Sequence, residues 1–225
     1  MLTTLLTLLI GYPFAYFTAG LPPKKRSLAL MLVIVPFWTN SLVRIYGWMI
    51  LLRGQGVVNS LLAALGLIDA PLKLLYNFGA VLVGMVYALI PFMILSVYNA
   101  VAKLDPALIE AARDLGAGRW RAFWTITVPM TRAGIMAGCV LVFIPSIGLF
   151  FISDLLGGSK TMLLGNLIRD ELLTARNWPL GAALSVVMMA ATLLVSAGTA
   201  ACPAKKVWGD RVKSVTRLPR DLRRA

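Results

Sequence analysis

Five runs of roughly 20 apolar residues constrain this chain more than any other feature, because a helix of that length crosses ~30 Å of hydrocarbon. They fall at 2–21, 28–52, 79–99, 133–152 and 178–201. A membrane β-barrel would instead show short alternating segments of ~10 residues. The composition agrees, with 59% hydrophobic residues and a mean hydropathy of +0.82. The expected class is an all-α membrane protein. One transmembrane domain at 1–202 is followed by a basic tail at 203–225.

No Lys or Arg precedes the first run, so it reads as a span rather than a secretory signal. A tight basic loop, Lys24-Lys25-Arg26, follows it. An outward loop is expected at 53–78, with an apolar piece at 57–67 lying in the interface, and a second at 153–177. Cys139 and Cys202 lack metal-ligand spacing and read as buried thiols. The chain contains no histidine, which excludes histidine triads, metal sites and proton relays.

The formal net charge of +13 raises nucleic acid as a partner, but its distribution argues for topology. The loop at 24–26, the segment 101–132 and the tail carry sixteen of the 22 Lys and Arg. The positive-inside rule therefore predicts a cytoplasmic C-terminus, an outside N-terminus for five spans, and a tail resting on anionic lipid. No nucleic-acid partner is expected, since the tail interleaves no aromatic residues for base stacking.

Between the third and fourth spans lies a charged segment with its own local logic. Asp105-Pro106 starts a helix: the carboxylate caps free N–H groups, and proline fits the first helical position. Gly116 can take the left-handed conformation that ends it. A second short helix is expected from Arg119, carrying Trp120, Phe123 and Trp124. A knob this small cannot make its own core. A docking element for a soluble partner and an amphipathic connector lying on the membrane both fit.

Glu110-Ala111-Ala112, three residues, Gly116, nine residues and Ile126-Thr127-Val128-Pro129 resemble the EAA loop of bacterial ABC-importer permeases. Only Val128 departs from the pattern. The resemblance implies that Glu110, Ala111, Ala112, Arg113, Asp114, Gly116, Ile126 and Pro129 couple the chain to a cytoplasmic ATPase. A wider likeness covers Pro36-Phe37-Trp38-Thr39-Asn40-Ser41-Leu42-Val43-Arg44-Ile45-Tyr46, Gly148-Leu149-Phe150, Ser153-Asp154-Leu155-Leu156-Gly157-Gly158, Gly165-Asn166-Leu167-Ile168 and Asn177 to Ala183. In these stretches the chain is similar to the PotB-type spermidine/putrescine importer permeases.

That resemblance implies the type I ABC-importer transmembrane fold (MetI-like) in the bacterial inner membrane. It also implies a second related permease, an ATPase dimer that binds the ATP, and an external polyamine-binding protein. No cofactor is expected in this chain. The family has six helices, so with five spans the chain is expected to lack the first, the one that wraps the partner subunit.

A polyamine needs carboxylates for its ammonium groups and aromatic faces for cation–π contact. Asp154, Trp38, Tyr46, Tyr87 and Glu171 are the candidates on the substrate path, with Asp69 and Asp170 the other acids outside the cytoplasmic parts. Arg44, an intramembrane cation, either snorkels to the interface or pairs with Asp154. Gly134 and Gly138 form a GxxxG packing motif. Gly157-Gly158-Ser159-Lys160-Thr161 only imitates a phosphate loop, because Ser159 and Asp154 stand where glycines are required. With no nucleotide motif, metal cluster or nucleophile–base pair, the chain reads as non-enzymatic. The same architecture serving another solute, such as a phosphonate or ferric ion, is the alternative. A secondary transporter fits less well, for want of an ion-coupling carboxylate in a span.

Overall fold

The computed structural model describes residues 1–68, 70–158 and 162–201. Asp69, Ser159-Lys160-Thr161, Cys202 and the tail at 203–225 lie outside the described residues. Among the described residues all regular structure is helical.

Helix α1 (Leu2–Ala19) sets the pattern of the bundle. Its buried residues are Thr3, Thr7, Gly11, Ala15 and Thr18, spaced by four, four, four and three, together with Tyr12, while Leu5, Leu9, Ile10 and Phe17 point outward. This inverts a soluble helix, and the reason is the solvent. Lipid is as apolar as leucine, so close approach of small residues and internal hydrogen bonds hold helices together instead. The Thr7 hydroxyl is satisfied within its own helix, Oγ1 donating to the Thr3 carbonyl at 3.0 Å.

Helix α2 (Pro23–Ile34) and the 3₁₀ turn Val35–Trp38 lead to α3 (Ser41–Leu51). The second span, expected to be continuous over 28–52, is bent by 96° at its middle. Pro36 lacks an N–H, Thr39 is extended at ψ 153°, and the Asn40 side chain accepts from Leu42 N at 2.8 Å to start a new helix. The described residues thus hold four unbroken candidate spans, or five with this broken one.

Within the loop after α3, α4 (Val57–Ala64) occupies most of the apolar piece expected there. Asn59, buried on α4, closes the loop. Its amide donates to the Arg53 and Leu72 carbonyls at 3.2 and 2.9 Å and accepts from Leu72 N at 3.1 Å.

Helix α5 (Phe78–Val101) is the axis of the molecule. One core cluster joins its Leu89, Met93, Ile94, Val97 and Val101 to Tyr12 and Ala15 of α1 and to Val142. A second joins its Ala80, Val81 and Met85 to Ile45 and Leu52, and to Ile152 and Leu156.

After α6 (Pro106–Asp114), the next helix does not stay short. It runs as α7 (Arg119–Ala122), a π-turn (Phe123–Thr127) and α8 (Val128–Gly148), one 30-residue unit. Gly134 and Gly138 lie against α5, as the motif predicts. A Cβ at 134 would overlap that of Ala100 and sit 3.0 Å from the Ser96 carbonyl oxygen; one at 138 would sit 2.7 Å from Met93 Sδ. Ser96 Oγ uses the closeness to donate to the Gly134 carbonyl at 2.9 Å.

The fourth span, expected to end at 152, stops as a straight helix at Gly148 and turns at Leu149. The expected outward loop at 153–177 is largely helical: α9 (Phe150–Gly157) includes Asp154. Next come α10 (Leu164–Arg169) and a π-turn (Asp170–Thr174). Gly158 ends α9 at φ +54°, and the ring of Tyr76 occupies the place a Cβ would need. Helix α11 (Trp178–Ala201) closes the described chain with Val186, Val187, Leu193 and Leu194 facing outward.

Candidate functional site

Helix α6 is defined at both ends by the residues the sequence singles out. Asp105 accepts from Ala107 N at 3.0 Å and Pro106 takes the first helical position. At the other end Gly116 stands at φ +83°. Its N–H bonds the Arg113 carbonyl at 2.9 Å, and Ala117 N bonds the Ala112 carbonyl at 3.0 Å. This paired closure satisfies carbonyls that the helix leaves free, and it needs a residue without a Cβ penalty at 116.

The nine residues between these ends divide by face. Glu110, Ala111, Arg113 and Asp114 are exposed and Ala112 is half-buried, and Ile109 and Arg113, one turn apart, line a cavity against α1. Leu115 is 89% exposed at the tip and was not singled out from sequence. Its signal was there: a lone large apolar residue between Asp114 and the helix-ending glycine.

Ile126 and Pro129 sit farther along, on the π-turn and the first turn of α8. Val128 N bonds back to the Phe123 carbonyl, one residue beyond the α pattern. The wide turn comes just before a proline that cannot donate to the ladder. Ile126 is half-buried and Pro129 exposed. The hydroxyl of Thr131 donates to the Thr127 carbonyl at 2.8 Å, so Tyr12 is the donor in the 3.0 Å contact between the Tyr12 and Thr131 hydroxyls. This links α1 to the base of α8.

The expected substrate residues separate into different surroundings. Trp38 is 82% exposed at the break between α2 and α3, and Tyr46 is exposed on α3. Tyr87, half-buried on α5, stands edge-on to Trp48 at 5.5 Å. Arg44 does not pair with Asp154. Its guanidinium lies 4.8 Å from the Phe37 ring centre and 5.8 Å from that of Tyr87, and its Nε is buried without a hydrogen-bond partner. The expected pairing loses because Asp154 already has a cation.

That cation is Arg169, which sequence reading left aside. Its Nη1 donates to Asp154 Oδ2, while Nη2 and Nε donate to Asp170 Oδ1 at 2.8 and 3.0 Å. Asn166 Nδ2 adds a bond to the other Asp154 oxygen at 2.6 Å, and the Phe150 ring lies 5.5 Å under the guanidinium. Two carboxylates around one guanidinium leave a net negative cluster. Arg169 also lines a cavity of about 620 Å³ between α8, α10 and α11. Glu171 is half-buried on the following turn and forms no ion pair among the described residues. The spacing of 15 residues from Asp154 to Arg169 spans α9, a loop and α10, so no local pattern could have announced this pair.

Comparison with known proteins places these features in a family setting. Residues 11–201 match the family described as "Binding-protein-dependent transport system inner membrane component". The chain is 50% identical over 198 residues to the spermidine/putrescine transport system permease protein PotB of Escherichia coli (strain K12), covering 87% of this chain and 72% of that protein. The protein of the same name from Haemophilus influenzae is 49% identical over 197 residues, 86% of this chain and 69% of its own. Among solved structures, a bacterial ABC transporter that imports the acidic polysaccharide alginate shares the fold. Its TM-score is 0.70 at 20% identity, over 89% of this chain and 76% of that one. A second alginate transporter structure, in complex with a periplasmic protein bound to an alginate pentasaccharide, gives 0.68 at 21%, over 88% and 73% of the two chains.

Proposed function

We propose, from the premise that this chain belongs to the family of binding-protein-dependent transport system inner membrane components, that it is the permease subunit of a polyamine importer. It moves spermidine or putrescine inward by alternating access and performs no chemistry of its own. The observation that carries this reading is α6: a helix capped at Asp105, closed at Gly116 and presenting Glu110, Asp114 and Leu115 outward.

In this reading a dimeric ATPase docks on that face. Because α6 packs against α7, and α7 runs without a break into α8, rotation of α6 is handed directly to a span. The two membrane arrangements then exchange as ATP binding favours one over the other. The basic residues at 24–26, which the structure places in the first turn of α2 rather than in a loop, the segment 101–132 and the tail lie in the cytoplasm under the positive-inside rule. A second permease completes the pathway, and the external binding protein delivers substrate to the opposite end.

The identity to the PotB proteins supports a polyamine as cargo, and the net negative cluster at Asp154, Asp170 and Arg169 is suited to an ammonium group. Uptake of labelled spermidine by cells stripped of other polyamine uptake tests the reading. Excess unlabelled spermidine or putrescine is expected to block it. Block by a phosphonate or ferric ion instead would assign the chain to another solute.

A further inference from the structure

At the end of the bundle where α1, α6 and α7 meet there is a cavity of about 730 Å³ that shares only Arg113 with the residues expected to couple the chain to an ATPase. Its aromatic wall is organised by Phe123, against which Tyr12, Tyr16 and Trp120 stand edge-on at 5.7, 5.4 and 6.4 Å. The lining also includes two exposed arginines, Arg113 of α6 and Arg119 of α7. Neither forms an ion pair among the described residues, and the acids of α6, Glu110 and Asp114, are absent from the lining.

These features restrict the occupant. Two fixed positive charges disfavour a cation, although the aromatic wall alone would invite one. An anion satisfies the charges, but a small free anion would leave most of the cavity and all of its aromatic wall unfilled. The fitting ligand is therefore both anionic and apolar. The position agrees: Tyr16 lies one turn from the end of α1, and Lys24-Lys25-Arg26 follow shortly after, so the cavity stands at headgroup depth. Exposed Tyr16 and Trp120 have the amphipathic rings that favour that layer.

We propose that this cavity holds one anionic phospholipid, its phosphate between Arg113 and Arg119 and its glycerol and acyl roots against Tyr12, Tyr16 and Phe123. The lipid stands between α1 and α6 and so contacts both the span and the helix that the ATPase moves. Basic pockets between membrane helices are a general means of holding such headgroups. The inference rests on the proposed orientation for the leaflet alone, and its test reads lipid, not transport.

The intact importer complex, purified in mild detergent, is titrated with phosphatidylglycerol and separately with phosphatidylcholine, with native mass spectrometry counting bound lipid. One phosphatidylglycerol should be retained in preference to phosphatidylcholine. Arg113→Gln with Arg119→Gln should weaken it roughly 25-fold, about fivefold for each positive charge lost near the surface. Arg113→Lys with Arg119→Lys should restore most of the binding, and Lys24→Gln with Lys25→Gln should leave it unchanged. Equal retention by the glutamine pair overturns the proposal. So does displacement by inorganic phosphate, which would make this a free-anion site. Retention only by chain stripped of ATPase overturns it too, because the cavity would then belong to the ATPase interface. Should the glutamine pair fail to assemble, the wild-type preference decides, and a value below about fivefold overturns the proposal.

Discussion

Arg169 holds Asp154 with one nitrogen and Asp170 with its other two, tying α9 to the turn that follows α10. Both members of the Asp154 pair keep 31% of their side-chain surface exposed, so solvent weakens the attraction and the pair can be opened. A substrate ammonium group arriving at Asp154 would compete with the guanidinium already there.

That competition gives a prediction with opposite signs for the two partners. Asp154→Asn should raise the KM for spermidine uptake by tenfold or more, the scale of one lost charged hydrogen bond at about 1.5–3 kcal/mol. Arg169→Gln, which frees the carboxylate, should lower the KM. Concentration-dependent uptake at matched membrane levels measures both. Unchanged KM in each variant would reduce the pair to a tie between helices.

At α6 the prediction concerns the left-handed residue. Gly116→Ala at φ +83° should strain the closure by about 1–2 kcal/mol, and Gly116→Arg should also obstruct the docking face. Pull-down of the chain in mild detergent should bring the ATPase with the wild type, less with the alanine variant and none with the arginine variant. Leu115→Asp should act similarly, since it places a charge on the exposed apolar tip. Full ATPase recovery with all three variants would rule out docking through α6.

Packing between α5 and α8 can be tested without reference to transport. Gly134→Val must push the helices apart, because even a Cβ there overlaps Ala100, and should destabilise the chain by about 1–3 kcal/mol. Gly47→Ala is the control. A Cβ at 47 meets nothing within 4 Å, so it should be neutral or stabilising by up to about 1 kcal/mol. Thermal unfolding in detergent separates the two, and equal behaviour would contradict the close approach.

The loop between α3 and α5 offers a fourth test. Asn59→Ala removes three hydrogen bonds that fasten 53 and 72 to α4, each worth about 0.5–1.5 kcal/mol net. Hydrogen exchange should accelerate across 53–72 while α5 and α8 keep their protection. Loss of protection throughout would mean that Asn59 supports the whole bundle rather than one loop.

The sequence by itself determined the class and the local chemistry of α6. These are properties of short stretches: apolar length against hydrocarbon thickness, a carboxylate before a proline, a glycine where φ must be positive. A close helix approach at Gly134 and Gly138 was also legible, because they are one turn apart on one helix face, but not that α5 would be the partner.

The tertiary structure alone decided what depends on partners distant in the chain. The second apolar run had the length of a span, and Pro36 and the Asn40 cap break it locally, but the 96° between its two helices was visible only in the fold, where α3 packs against α5 and α9 around Ile45. Asp154 and Arg44 were both visible as costly ions in an apolar chain. Only the fold gave the first to Arg169 and set the second beside the rings of Phe37 and Tyr87. Composition fixes how many charges must be satisfied in a medium without water; which group satisfies which is settled by the geometry of helices that meet only after folding.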